Sequence, residues 1–431
     1  MGLSASQGED KSARQVRPGW RLVLFLTVFF DLLGFGIVIP FLPMYAERLG
    51  VGPAAIGLLL SSYSLAQLFC APWLGRLSDR WGRRPIILLG LLGSSVSYVV
   101  YGLSRSFVGL WLSRGLHGAC AATVSVAQAY AADVTGEEER ASAMGMLGAA
   151  FGLGFVFGPA LGGLLGWSSL SRPVFFAALL TFANFLFAWL RLVEPPGARA
   201  RVSAGGMEAR QGPLGALRRL LALGASGRLL CVSFLLAFTI AGLETTFSLL
   251  LPQCYALGAR SVGALLAYAA AIQAVAQGFL VGRLVRLVGP RPLLSAAILV
   301  FGLGLAPLGS WLERPGLFLM LALVGCGYGL ASTSLVTLLC GLTDRERQGE
   351  LLGLNQSMLS LGRILGPLFG GFVYQAVAPA APYLAGAAVA GAAFALTWPR
   401  TPAGRARVGA AKACGSDRPA PPTEATGPAP Q

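Results

Sequence analysis

Apolar runs of about 20 residues follow one another along almost the whole chain, separated by short breaks rich in glycine, proline or charge. The runs fall at 21–46, 54–75, 85–104, 107–132, 141–166, 173–193, 228–252, 261–282, 292–312, 315–341, 349–375 and 380–399. Each is long enough to cross a bilayer as a helix. Lipid offers the backbone no hydrogen bonds, so a spanning segment must satisfy its own. The two-residue alternation of a barrel strand is absent. The pattern therefore predicts an all-α integral membrane protein with twelve transmembrane helices. What lies outside the runs is small: a polar segment at 1–19, a linker at 194–227 and a tail at 400–431. The two ends read as disordered, and no independent soluble domain fits.

Composition agrees. The chain is 55% hydrophobic and only 12% charged, with a mean hydropathy of +0.68; a soluble domain carries about a quarter charged residues. The net charge of +15 would suggest nucleic acid in a soluble protein, but its distribution excludes that. With the N-terminus inside, 26 of the 33 Lys and Arg residues fall on the cytoplasmic side, 5 outside and 2 within spans. This is a positive-inside bias and places both termini in the cytoplasm, with attraction to anionic lipid as a secondary effect. The seven cysteines are scattered without paired spacing and read as small buried residues. No cleavable signal is evident; the opening MGLSAS fits the loose myristoylation pattern, which adds little to a chain with many spans. No nucleotide-binding loop or nucleophile motif is present, so neither an enzyme nor an ATP-driven pump is expected. No cofactor and no metal site are expected either.

The chain repeats itself at an offset of about 207 residues. GRLSDRWGRRP (75–85) recurs as GRLVRLVGPRP (282–292). The helix-5 segment with Gly145, Gly154, Gly158, Pro159, Gly162 and Gly163 recurs with the same spacing as Gly353, Gly362, Gly366, Pro367, Gly370 and Gly371. Two six-helix halves, 20–193 and 228–399, are thus joined by the basic linker. Parallel copies with a site between them are the plan of a rocking transporter.

Four motifs carry a family resemblance over nearly all of 20–400. GRLSDRWGRRP resembles the loop between helices 2 and 3 of the major facilitator superfamily. LWLSRGLHGACAA (110–122) is similar to its helix 4 motif, with Arg114 and Gly118 in the key places. DLLGFGIVIPFLP (31–43) resembles the helix 1 signature of the drug:proton antiporter branch, which includes the tetracycline exporters. The Gly-Pro pattern of helix 5 is similar to that branch's antiporter motif. The resemblance implies the major facilitator fold, with two pseudo-symmetric six-helix bundles and helices 1, 4, 7 and 10 lining a central cavity. It implies alternating access, a small-molecule substrate, protons as coupling ion and a monomer in the plasma membrane, with an organelle membrane as the alternative.

Charges inside spans are the main candidates for chemistry. A carboxylate at mid-membrane costs on the order of 3 kcal/mol to insert, so it normally meets water or a partner. Asp31 in span 1 and Glu244 in span 7 therefore read as proton carriers, or alternatively as halves of static ion pairs. Arg114 lies on span 4, where helical spacing puts Gly118, Ala121, Ser125 and Gln128 on its face. It is a candidate partner for Asp31 or a brace of helix 4. His117, the only histidine, reads as a proton relay or a hydrogen-bonded filler. Arg363 replaces Phe155 of the other half and is a candidate partner of Glu244. Gln67, Gln273, Gln277, Tyr328 and Asn355 are expected to line the cavity.

The helix-5 and helix-11 glycines suit either sliding at the interface between halves or simple tight packing. At the loop, Gly75 and Gly82 are expected to permit a tight turn, Pro85 to sit in a helix first turn, and Arg80, Arg83 and Arg84 to hold the loop inside. The counterpart of Asp79 is Arg286, so the acid belongs to one half only. The resemblance implies that Asp79 meets the N-terminus of helix 11, where the dipole favours negative charge, as an outward-open latch. The clusters at 137–140 and 344–347 resemble charged partners of this loop. The leading function is proton-coupled efflux of a lipophilic or cationic small molecule. A facilitator or symporter for a metabolite or organic anion, and a non-transporting receptor or scaffold, are the alternatives.

Overall fold

The computed structural model describes residues 19–166, 169–195, 224–310, 313–342 and 348–398. The 344–347 cluster, most of the linker and the two terminal segments lie outside them. Every apolar run falls on a helix, and no strand occurs among the described residues. The helices are α1 (Trp20–Arg48), α2 (Pro53–Trp81), α3 (Arg83–Leu103), α4a (Phe107–Cys120) and α4b (Thr123–Val134), α5 (Glu137–Gly166) and α6 (Ser171–Arg191). In the second half they are α7 (Gly224–Tyr255), α8 (Ala259–Val288), α9 (Pro290–Leu305), α10 (Arg314–Gly341), α11 (Gln348–Ala376) and α12 (Ala381–Thr397). Nine of the described helices are long and apolar enough to cross a membrane.

The repeat in the sequence is a repeat in the packing. In the first half α5 and α6 pack on α1, α4a on α2, and α6 on α3. In the second, α11 and α12 pack on α7, α10 on α8, and α12 on α9. The corner between α2 and α3 is made by Gly82 at φ 105°, and its counterpart between α8 and α9 by Gly289 at φ 85°. Both lie in the left-handed region that glycine alone enters freely. Gly75 is no part of that turn; it lies within α2.

The halves meet at two crossings that obey the same repeat. The crossing of α2 with α11 matches that of α8 with α5. At the first, a Cβ on Gly57 would strike the Pro367 carbonyl, and one on Gly371 would lie 3.2 Å from the Gly57 Cα. At the second, Gly163 and Gly263 meet in the same way, with the Gly163 Cβ position 3.1 Å from the Gly263 Cα. The Ser61 hydroxyl donates to the Ile364 carbonyl (2.6 Å), and the Ala54 amide to Gln375 Oε1 (3.0 Å). Gln253 Nε2 donates to Glu47 Oε1 (2.7 Å).

All these contacts lie from mid-helix toward the end opposite the 75–85 loop. At the loop end, hereafter the basic end, the same helices diverge. A Cβ at Gly145, Gly148, Gly152, Gly278, Gly282 or Gly353 would meet nothing within 4 Å. The bundle is closed at one end and open at the basic end.

Of the two tasks expected of the motif glycines, most of the others serve tight packing. Gly154, Gly158 and Gly162 of α5 press on Leu32, Gly36 and Phe41 of α1, inside one half. Gly362, Gly366 and Gly370 of α11 press likewise on α7. Of the α5 stripe, Gly163 and the carbonyl of Pro159 face the other half. Small residues let backbones approach where lipid supplies no hydrophobic push, and here most of that approach welds each half.

A leucine at Gly57 is expected to pry the halves apart at the closed end. In a cysteine-free background, a cysteine at Gln375 should then react with a membrane-impermeant maleimide several-fold faster than in the Gly57 parent. An unchanged rate would show that the crossing does not hold that end.

Candidate functional site

Between the halves, at mid-helix depth, the structure gathers the intramembrane charges into one layer. Its first-half part is built around a break in the fourth span. The sequence suggests a single helix over 107–132, but α4a ends at Cys120 and α4b begins at Thr123. The Ala121 amide reaches only the Gly118 carbonyl (3.2 Å), and the Ala122 amide the Cys120 carbonyl (2.8 Å). The Ala121 carbonyl is taken up by a side chain, with Gln67 Nε2 donating to it (3.1 Å), while Ala122 O accepts from the Val126 amide (3.0 Å) and from the Ser125 hydroxyl (2.9 Å). Broken helices are tolerated at this depth only when buried in protein or lining a cavity.

The break interrupts the stripe expected from Arg114 to Gln128. Arg114 is buried at 2% exposure, and Gly118 lies against the backbone of Tyr63, which a Cβ there would strike. Ser125 and Gln128, beyond the break, are exposed.

Arg114 sits in an aromatic box. Its guanidinium carbon lies 4.7 Å from the Tyr63 ring centroid and 5.8 Å from that of Phe35, within the range of cation–π attraction. His117 completes the box, with its ring 4.7 Å from Tyr98 and 5.1 Å from Tyr63. Arg114 Nη1 lies 3.3 Å from His117 Nδ1. A guanidinium has no acceptor, so it donates and Nδ1 carries the lone pair. The ring proton is then on Nε2, which lies 3.4 Å from the Tyr98 hydroxyl. Both imidazole nitrogens are thereby engaged.

Asp31 is half-buried on α1 beside the Thr123 hydroxyl at the start of α4b. It makes no ion pair with Arg114; Tyr63 and Tyr98 are electrostatic neighbours of both. The direct Asp31–Arg114 contact considered from the sequence is not made. Tyr63, Tyr98 and Thr123 carried no sequence signal of their own, because nothing local marks which face of a span will meet a distant charge.

The second-half part is simpler. Glu244 is exposed although α7 around it is buried from Ala241 to Leu251, so it projects into the space between the halves. Arg363 and Tyr328 are its electrostatic neighbours, and Arg363 also acts on Tyr63 across the interface. Arg363 does not come within ion-pair distance of Glu244. Its Nη2 lies 3.5 Å from the Ser360 hydroxyl, and its Nε has no hydrogen-bond partner. Gln273 is half-buried, and Gln277 donates to Ser332 (3.2 Å), tying α8 to α10. Asn355 does not line the cavity. It is 6% exposed and accepts from the Ser233 hydroxyl (2.5 Å), joining α11 to α7. No cluster of three or more His, Cys, Asp or Glu suited to a metal occurs among the described residues.

At the basic end the loop motif closes on its own half. Arg83 donates from Nε to Asp133 Oδ2 (2.9 Å) and from Nη1 to Asp79 Oδ1 (2.5 Å) and the Ser78 hydroxyl (2.7 Å). The Glu194 carboxylate caps α3, accepting from the amides of Arg83 (2.6 Å) and Arg84 (2.9 Å). It sits where a side chain at position 82 would be, 2.5 Å from that Cβ position, so Gly82 is required twice over. Arg84 Nη2 donates to the Trp189 carbonyl (2.6 Å), Arg80 is exposed, and Arg21 pairs with Glu139 (2.8 Å). With the halves apart at this end, Asp79 is paired with Arg83 within α2–α3. The roles of Asp133 and Glu194 were invisible to the sequence, since their partner lies 50 and 111 residues away.

Comparison with known proteins places these features in a family. The model described as Major Facilitator Superfamily matches residues 24–258 and 229–428. The chain is 33% identical to the tetracycline resistance protein, class E, of Escherichia coli over 82% of this chain and 88% of that one. It is 29% identical to multidrug resistance protein 2 of Bacillus subtilis (strain 168), again over 82% and 88%. Among solved structures, the human organic anion transporter MFSD10 (TETRAN) superposes with a TM-score of 0.66 at 28% identity, covering 89% of this chain and 100% of that one.

Arg83 pairs with Asp133 through side chains that are each only 13% exposed. Losing these charged hydrogen bonds in Arg83→Ala should lower stability by about 2 kcal/mol, and Glu194→Ala by about 1 kcal/mol through loss of the cap. Thermal melts of the purified protein check both. A larger loss in Glu194→Ala would reverse the assigned order of importance.

Proposed function

The chain belongs to the major facilitator superfamily and is a multi-pass secondary transporter of the plasma membrane, and from that premise we propose that it exports a lipophilic or cationic small organic molecule in exchange for protons. One observation carries this reading: Asp31 and Glu244, one in each half, stand at mid-membrane without a cation at ion-pair distance among the described residues. Such a carboxylate is functional by default. It is able to take a proton from one side and release it to the other when the halves rock. The tetracycline and multidrug resistance proteins matched above favour a drug-like substrate. His117, engaged at both nitrogens, serves as a brace for Arg114 and not as the relay.

Asp79 is the latch. In the state open at the basic end it is held by Arg83; when that end closes, α2 and α11 approach and the α11 N-terminus takes over the carboxylate. Two six-helix domains at 20–193 and 228–399, cytoplasmic ends, monomeric state and absence of enzymatic activity are parts of the same proposal.

A second reading has its own support. Arg114 is buried without a carboxylate partner, and Arg363 has an unbonded Nε. Two cations in the central layer suit an organic anion, and MFSD10 is an organic anion transporter.

Reconstituted protein separates these readings. With tetracycline as probe, an imposed pH gradient should drive concentrative flux. Asp31→Asn and Glu244→Gln should each reduce gradient-driven flux on the order of a hundredfold, the scale on which a positioned proton carrier acts, while gradient-free exchange persists. Flux indifferent to the gradient would overturn proton coupling. Flux of anionic but not cationic probes would establish the second reading. Asp79→Asn should slow turnover more than it weakens binding; wild-type turnover would remove the latch.

A further inference from the structure

Away from the central layer, the outward face of the first half carries a groove of about 460 Å³ between α3 and α6. Its walls include Val96, Val99, Phe175, Leu179 and Phe182, all substantially exposed. The polar side chain in its lining is Ser95, whose hydroxyl is committed to the Ala178 carbonyl (2.9 Å). Nothing polar is left for a ligand inside the groove, so its occupant there is hydrocarbon. From Leu92 to Val100 the groove runs roughly 12 Å along the helix axis, most of the ~15 Å hydrocarbon depth of one leaflet. That is the shape of an acyl chain and not of a compact drug.

The mouth of the groove has charge. α3 and α6 run antiparallel, and the Phe175 ring lies against Gly102, 2.8 Å from its Cβ position. Arg105 stands three residues beyond Gly102 and Arg172 three residues before Phe175, so the two arginines flank the groove at one level. Both are exposed. They lie at the end opposite the basic loops, where positive-inside patterning leaves only 5 of 33 basic residues. Two of those five thus sit at one groove.

The internal repeat acts as a control. Aligned on Pro173 and Pro382, Phe182 matches Gly391, Leu179 matches Ala388 and Arg172 matches Ala381. The counterpart helices α9 and α12 have lost both the aromatic wall and the arginine, so the groove is not a by-product of the shared fold.

We propose that this groove binds an anionic phospholipid of the surrounding bilayer, one acyl chain lying between α3 and α6 and the phosphate meeting Arg105 and Arg172. The site is separate from the transport cavity and independent of which substrate that cavity carries. Native mass spectrometry of the full chain in detergent, titrated with phosphatidylglycerol or phosphatidylcholine, tests it. The wild type should retain one phosphatidylglycerol in preference to phosphatidylcholine. Arg105→Gln with Arg172→Gln should weaken phosphatidylglycerol binding by about thirtyfold, the strength expected of two arginines at an anionic group. Val99→Trp should fill the groove and lessen retention of both lipids, whereas Arg48→Gln, at the same end but on α1, should leave retention unchanged. Equal retention of the two lipids by the wild type would overturn the proposal. So would unaltered binding in the double variant, or an equal loss in Arg48→Gln. The charge variants stand at exposed positions and decide the matter even where the tryptophan impairs folding.

Discussion

The close approach of backbones at two glycine crossings governs this molecule. In lipid no hydrophobic force presses helices together, so contact depends on how near their surfaces come. Gly57 with Gly371, and Gly263 with Gly163, bring α2 to α11 and α8 to α5 nearly to backbone contact. Because the crossings are copies of one another, they close the same end of the bundle and leave the other end open. The cavity between the halves and its access from the basic end both follow from where those crossings lie.

Within that frame the charges divide by what balances them. At the basic end Arg83 is matched by Asp133, Asp79 and Ser78, and Glu194 neutralises the positive end of α3. That corner is a set piece, satisfied within the first half, and it gives that half a rigid edge. In the central layer the opposite holds. Arg114 is steadied by rings and an imidazole, and Glu244 and Arg363 share a cavity without touching. Buried charges paired with one another would be locked; here no such pair forms among the described residues of the layer.

Much of this was legible in the residues. The apolar runs located the helices, and the 207-residue repeat foretold the matching contacts of α1–α6 and α7–α12. The rarity of charge in spans singled out Asp31, Arg114, Glu244 and Arg363, because the cost of inserting a charge is a property of the residue and its depth alone. Helical spacing was less reliable wherever the helix itself gave way. The stripe from Arg114 to Gln128 assumed one continuous helix, and the break at Ala121–Ala122 turned its two ends to different surroundings. Asn355 looked like a cavity residue by its polarity, yet Ser233 on α7 claims it.

The sequence by itself determined a membrane bundle of two related halves, the span that carries each charge and the loop that would form the basic corner. These are local quantities: hydropathy, period and insertion cost need no partner. Only the tertiary structure decided which glycines weld a half and which join the halves, that Glu194 caps α3, that aromatic rings box Arg114, and which end is open. Each of those depends on atoms far apart in the chain approaching within a few ångströms, and the face a helix turns to its neighbour is set by packing all the helices at once.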